Sequence, residues 1–298
     1  MTATPLWTLT VAAPQGAGDA LATAMTRVEA LTQIHETRTL AAGIAREIDV
    51  AGPEAVLAGV GLAALFADLP VDWCFQPAAG RRKALLVADM DSTIISCECL
   101  DELADFAGVK TEVAAITEQA MRGELVFEEA LRARVQMIAG LPLDVLQHCY
   151  DARVSLNPGA ETLVRTMTAH GAHTVLVSGG FSFFTSRVAA RAGFREQRAN
   201  DLLDDGATLT GRVREPILGR AAKLSALLDC AGRLSIGPLD ALAIGDGAND
   251  LSMIQAAGLG IAYRAKPAVA EAALARIDHT DLRTALWFQG YREDELAG

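Results

Sequence analysis

The segment Asp89-Met90-Asp91-Ser92-Thr93 sets two carboxylates two residues apart, directly after the apolar run Ala84–Ala88. Where a buried strand gives way to a turn, residues at i and i+2 can face one pocket. One carboxylate there can attack phosphorus, and the second can carry the proton to and from the reacting oxygens. An EF-hand loop is excluded, because its glycine and glutamate positions hold Ile94 and Leu100. A plain pair of surface acids is the alternative, and the apolar run before them argues against it. The segment Gly245-Asp246-Gly247-Ala248-Asn249-Asp250 adds two acids and an amide on a glycine-rich turn, which taken alone also reads as an ordinary turn. Two unit charges at about 4 Å repel by about 4 kcal/mol at an effective dielectric near 20, so these acids and a phosphate dianion assemble only around cations. Mg²⁺, which takes oxygen ligands, and one lysine would supply them. Ser178-Gly179-Gly180 offers a hydroxyl and N–H groups before a helical pattern, a donor set for phosphate oxygens. Lys223 opens the apolar helical run leading to the Gly245 turn. With 22 Arg and only 4 Lys in the chain its position stands out, although a solvated lysine is its ordinary reading.

Three short apolar runs deliver these groups: Ala84–Ala88 ends in Asp89, Thr174–Val177 in Ser178, and Ala241–Ile244 in Gly245. Each suits a strand buried on both faces. Helical patterns at 158–170, 181–192, 216–229 and 248–257 alternate with them, which predicts a Rossmann-type parallel α/β sheet with its ligand crevice beyond the carboxyl ends of the strands. Residues 97–155 show helical periodicity at 98–107, 111–122, 127–139 and 142–150, punctuated by Gly108, Gly123 and Gly140-Leu141-Pro142. This reads as an all-helical cap inserted after the first strand and placed as a lid. Asn200–Val213, with Asp205-Gly206 at its centre, reads as a β-hairpin. Residues 1–76 read as a separate α+β module, with strands at 6–13 and 71–76, helices at 16–32 and 53–67, and extended segments at 34–50. Residues 77–83 read as a solvated linker, and 84–298 as the catalytic domain.

The chain has 298 residues, 51% hydrophobic and 21% charged, with a net charge of −11. This is a folded composition whose charge opposes nonspecific attraction to nucleic acid or to anionic membranes. A small charged metabolite with a counter-cation remains as partner, and an oligomer is compatible. The five cysteines, without a CxxC, read as reduced structural thiols; Cys97-x-Cys99 lacks the companions of a soft-metal site. The N-terminus has no basic n-region, and the uncharged apolar stretch at 55–67 falls short of the roughly 18 residues a span needs, so a cytoplasmic protein is expected.

In these motifs the sequence resembles the haloacid dehalogenase superfamily and, within it, the phosphoserine phosphatases. DMDST, SGGF, a lysine 23 residues before the GDG aspartate, and GDGANDLSM occur in family order over about residues 81–265. The resemblance implies Asp89 as nucleophile and Asp91 as general acid, then base. It implies Ser178, Gly179 and Lys223 as binders of the phosphoryl group. Mg²⁺ is implied on Asp89, the Asp91 backbone carbonyl and Asp246, with Asp250 positioning its water and Asn249 near substrate. In the cap, Glu98 matches the binder of the substrate ammonium, Arg134 that of its carboxylate, and Met121 and Phe127 the apolar pocket lining. An acid and an arginine can indeed bracket a zwitterion. The implied reaction is hydrolysis of O-phospho-L-serine, the last step of L-serine biosynthesis. A phosphotransferase passing the phosphoryl group to an alcohol such as homoserine, and an amino-acid-sensing regulator, are the alternatives. The N-terminal module resembles the ACT-like regulatory modules often attached to this family.

Overall fold

The structure, a computed structural model, describes residues 6–32, 34–51, 61–121 and 124–297, apart from the side chains of residues 120 and 121. Its centre is a six-stranded sheet built from β5 (Leu85–Ala88), β6 (His173–Phe181), β7 (Glu196–Asn200), β10 (Ala241–Gly245), β11 (Leu259–Tyr263) and β12 (Ala275–Ile277), in the order β12-β11-β10-β5-β6-β7. Every neighbouring pair is parallel. Leu85–Ala88 is buried on both faces, as a near-continuous apolar strand in a covered parallel sheet must be. Because β5 lies between β10 and β6, with Ala88 level with both Ile244 and Leu176, the chain leaves β5 with the Gly245 turn on one side and Ser178 on the other. The expected parallel α/β core and its shared crevice are thereby borne out.

Helices at Ala160–Ala169, Ser182–Ala192, Ala221–Arg233 and Leu251–Ala256 flank the sheet. The helix at Ala221–Arg233 starts five residues later than the apolar pattern suggested, since Pro216 and Gly219 both disfavour a helix interior. Four helices, Cys99–Phe106, Lys110–Met121, Phe127–Met137 and Asp144–Arg153, form the cap. The chain enters it at Ser96 and returns at Ser155, where the Ser96 N–H donates to the Ser155 carbonyl at 3.1 Å and Ile95 bridges Leu156. The hairpin of β8 (Leu202–Asp204) and β9 (Leu209–Val213) turns at Gly206, whose φ of 90° suits glycine. It braces the cap: the Leu209 carbonyl accepts from Gly140 N, and a Cβ on Gly211 would lie 2.8 Å from that of Ala139.

The N-terminal sheet is antiparallel, in the order β2 (Ile34–Ala41), β3 (Ala45–Ala51), β1 (Leu6–Ala12), β4 (Asp72–Pro77), with the helix Gly18–Glu29 on one face. Of the helix expected at 53–67, Leu62–Leu65 is helical; residues 53–60 lie outside the described residues. Within 77–83, expected as a solvated linker, the three basic side chains have partners. Arg81 pairs with the buried Glu47 at 2.7 Å, Arg82 lies 4.1 Å over the Tyr291 ring, and Lys83 donates to the carbonyls of Gly80 and Leu239. Among the described residues no helix is long and apolar enough to cross a membrane.

Candidate active site

The first carboxylate pair owes its orientation to a single irregular turn. After Asp89 the chain makes a wide turn over Met90–Ile94, with Ser92 at φ 57°, a left-handed conformation uncommon for serine. Asp89 caps this turn by accepting from Met90 N at 2.8 Å, and Asp91 accepts from Cys99 N at 3.0 Å as the cap begins. Asn157, where the chain has just returned from the cap, donates to the carbonyls of Thr93 and Ile95 and fixes the turn from behind. Both acids therefore face one crevice.

Asp89, Asp246 and Asp250 bring carboxylate oxygens within 4.8 Å of one another. The buried Lys223 ammonium sits between two of them, donating to Asp89 Oδ1 at 2.7 Å and Asp250 Oδ1 at 2.6 Å. The other Asp250 oxygen accepts from Gly247 N at 3.0 Å, so this acid anchors both the lysine and the glycine turn. The turn needs its glycines: a Cβ on Gly245 would fall 2.3 Å from the Asp250 carboxyl carbon. Asp246 accepts from Thr93 Oγ1 at 3.0 Å, a tie between the two motifs that sequence reading did not assign. Burial pushes the Asp89 carboxyl well above its ordinary range, with the charge of Asp250 adding to it and Lys223 opposing. Burial and then Asp250 push Asp246 up to about 6. Three oxygen donors around one lysine leave negative charge uncompensated, which fits a hard divalent cation.

Asp91 stands apart from this cluster. Burial, and then the charge of Glu98, push it up to about 7, while hydrogen bonds from Cys99 and Ser178 oppose the rise. A carboxyl group near neutrality can both give and take a proton. Ser178 Oγ donates to Asp91 at 3.2 Å and accepts from Gly180 N at 2.8 Å. Asn200 secures the SGG segment by donating to the Gly179 carbonyl at 2.9 Å, a support that sequence reading missed.

Above these groups opens a cavity of about 850 Å³ between core and cap. Asp89, Asp91, Ser178, Gly179, Asp246 and Asn249 line its floor. Glu98, Phe127 and Arg134 line its cap wall. Glu98 accepts from Ser92 Oγ at 2.7 Å. Phe127 lies over Gly179, where a Cβ would meet its ring at 3.1 Å. Arg134 is held from behind by the Ala130 carbonyl at 3.2 Å and Thr117 Oγ1 at 3.3 Å. Burial lowers its pKa while Asp101, Glu98 and Asp91 oppose the change. Met121 closes its cap helix, and its side chain lies outside the described residues. Asp101, Thr117, Arg220 and Lys266 also line the cavity and were not singled out from the sequence. Only Asp101 and Arg220 carried a signal, one turn from Glu98 and from Lys223 respectively.

A crevice at the carboxyl ends of parallel strands, with DxD and GDGxxD acids on adjacent strands and a helical cap above, defines a class of hydrolase. The profile of the haloacid dehalogenase-like hydrolases matches residues 86–255, and the chain belongs to that family. A phosphoserine phosphatase of Polaromonas sp. is 47% identical over 203 residues, spanning 66% of this chain and 86% of its own. A HAD family hydrolase of Salmonella enterica serovar Typhi superimposes with a TM-score of 0.83 at 31% identity, over 98% of this chain and 99% of its own. A structure described as a phospho-aspartyl intermediate analogue of phosphoserine phosphatase matches with a TM-score of 0.65 at 38% identity, over 70% of this chain and 99% of its own.

Proposed function

We propose that the chain is a Mg²⁺-dependent phosphoserine phosphatase, converting O-phospho-L-serine and water to L-serine and phosphate through an aspartyl-phosphate. One observation carries this reading. A single cavity holds two acids of different character and phosphate-type donors on its floor, and a glutamate and an arginine on its cap wall. That arrangement matches a phosphate monoester at one end and a zwitterion at the other.

In the first step an Asp89 oxygen attacks phosphorus in line, the bond from phosphorus to the serine oxygen breaks, and Asp91 protonates that oxygen. The Ser178 hydroxyl, the Gly179 amide and the Lys223 ammonium hold the phosphoryl oxygens as charge redistributes. In the second step Asp91, now a carboxylate, takes a proton from water as the water attacks phosphorus. The bond to Asp89 breaks, which frees phosphate and restores the nucleophile. Asp89, the Asp91 carbonyl and Asp246 would hold Mg²⁺, which when bound offsets the repulsion between the Asp89 carboxylate and the phosphate oxygens. Asp250 keeps Lys223 charged and in place. Asn249 borders the substrate, Glu98 takes its ammonium and Arg134 its carboxylate, while Phe127 contributes apolar wall. The cap excludes bulk water between admission and release. Residues 84–298 form the catalytic domain in this reading, residues 1–76 a regulatory module, and the enzyme forms L-serine in the cytoplasm.

Phosphate release measured over a panel of phosphorylated metabolites tests the reading. O-phosphoserine should lead, and EDTA should abolish turnover until Mg²⁺ is restored. Phosphoethanolamine, which lacks the carboxylate, should be a poor substrate. Arg134→Ala should lower kcat/KM for phosphoserine by about 30-fold or more, the scale of losing one buried partner of a charge pair, and leave phosphoethanolamine little changed. Equal losses on both substrates would remove Arg134 from carboxylate recognition.

A further inference from the structure

Lys223, which borders the small pocket beside the main cavity, is buried and already donates to two carboxylates, so it presents no uncompensated charge to an anion arriving from solvent. The remaining floor is acidic. O-phosphoserine brings a phosphate carrying about −1.5 to −2, since its ammonium and carboxylate cancel. The charge of the Mg²⁺ that Asp89 and Asp246 would hold is offset by those two acids, so a further cation outside the Asp89–Lys223–Asp250 cluster is called for where the phosphate arrives.

Arg220 meets that need. It is exposed, and it lines both the main cavity and a small adjoining one that it shares with Ser178, Gly179, Lys223 and Asn249. It stands at the N-terminus of the helix Ala221–Arg233, one turn before Lys223 and so on the same helical face. Among the described residues it has no hydrogen-bond or ion-pair partner. The residue before it touches the cap, since a Cβ on Gly219 would fall 2.3 Å from Glu128 Oε1. Arg220 thus sits at the seam where cap and core part. Resting on the proposed phosphatase reading, we propose that Arg220 is a further substrate-binding residue. Its guanidinium engages the phosphate group of substrate and product at the seam, above the Lys223 level. A guanidinium offers a planar fork to phosphate oxygens, and the spacing of one turn lets it act on the same group as Lys223. An exposed cation binds ground state and transition state to similar extents, so its effect belongs in KM and in phosphate affinity more than in kcat.

The test is calorimetric titration of inorganic phosphate into the full chain with Mg²⁺, for wild type, Arg220→Ala, Arg220→Lys and Arg191→Ala. Arg191, near the far end of the helix Ser182–Ala192, makes the same charge change away from the cavity. Arg220→Ala should weaken phosphate binding about five- to twenty-fold and raise KM by a similar factor, with L-serine affinity unchanged. Arg220→Lys should recover part of the loss, and Arg191→Ala should match wild type. Phosphate affinity unchanged in Arg220→Ala would overturn the proposal, as would equal losses for phosphate and L-serine. Because phosphate is the titrant, a chain that binds it through Arg220 yet releases none from phosphoserine would sink the substrate assignment and leave this inference standing.

Discussion

Asp89 and Asp91 share one turn and take different tasks in the proposed reaction, because their neighbours differ. Asp89 is held by Lys223 at 2.7 Å and faces two further acids, whereas Asp91 is held by a backbone N–H and the Ser178 hydroxyl. In the first arrangement Lys223 opposes the upward push that burial and the neighbouring acids exert on the Asp89 carboxyl, and the second leaves a proton exchangeable near neutrality. Asp89→Asn removes the attacking charge while keeping the side-chain shape, so turnover should fall by at least about 10³-fold, about 4 kcal/mol in barrier, with the circular dichroism spectrum retained. More than about a tenth of wild-type rate would remove Asp89 as nucleophile. Asp91→Asn leaves the attack possible but hinders both proton transfers. Acid-quenched single turnovers with labelled phosphoserine should show phosphate retained on this variant longer than on wild type, and no covalent phosphate on either would reject the aspartyl intermediate. These acids were legible in the sequence because motif spacing at a strand end encodes them locally. Thr93, Asn157 and Asn200 were not, because each acts through a contact across a sequence separation that no local pattern records.

Element boundaries show the same division between local and tertiary causes. The apolar run predicted a strand ending at Val177, yet β6 continues to Phe181, since the edge strand β7 pairs Asn200 with Phe181 and Asn200 also takes the Gly179 carbonyl. That edge carries the other cluster of metal-ligating residue types found among the described residues, His173, Glu196 and Cys230. Here hydrogen-bond donors already occupy the acid: Glu196 accepts from Arg198 at 2.7 Å, Arg233 at 2.6 Å and His173 at 3.1 Å. Desolvation works to raise the Glu196 carboxyl, and the donated hydrogen bonds outweigh it and bring it down to about 2. An acid whose pKa is depressed on folding stabilises the fold above its unfolded value, near 4.5, and loses that contribution as pH falls toward 2. Wild type should therefore exceed Glu196→Gln in urea midpoint at pH 7, and the gap should narrow steadily between about pH 4.5 and pH 2.5. A gap independent of pH would mean that the clamp contributes through packing alone.

At the scale of the whole molecule, the open face of the N-terminal sheet is polar, which in a sequence reads as a solvent face. Thr8, Thr10, Glu47, Asp49 and Gln76 lie there and all are buried. Trp287 covers the far end of that sheet against Ala12, Leu40, Ala41 and Ala45, and Gln76 donates to the Phe288 carbonyl at 2.6 Å. Sequence alternation gives the period of a strand but not what covers its polar side, so this docking was invisible before the fold was known. Its firmest tie is Asp72, which accepts from the backbone N–H groups of Asp278, His279 and Thr280 and from the Thr280 hydroxyl at 2.6 Å. Asp72→Ala would leave three partly buried N–H groups without their acceptor, a loss of about 2 to 4 kcal/mol. If the two sheets unfold as one unit, that loss should move a single urea transition to lower midpoint, with Asp72→Asn falling between. If the N-terminal sheet detaches first, Asp72→Ala should instead split the transition in two and expose 77–83 to protease while phosphatase activity persists. A variant matching wild type in both midpoint and protease resistance would show that the Asp72 nest is not what holds the N-terminal sheet to the catalytic core.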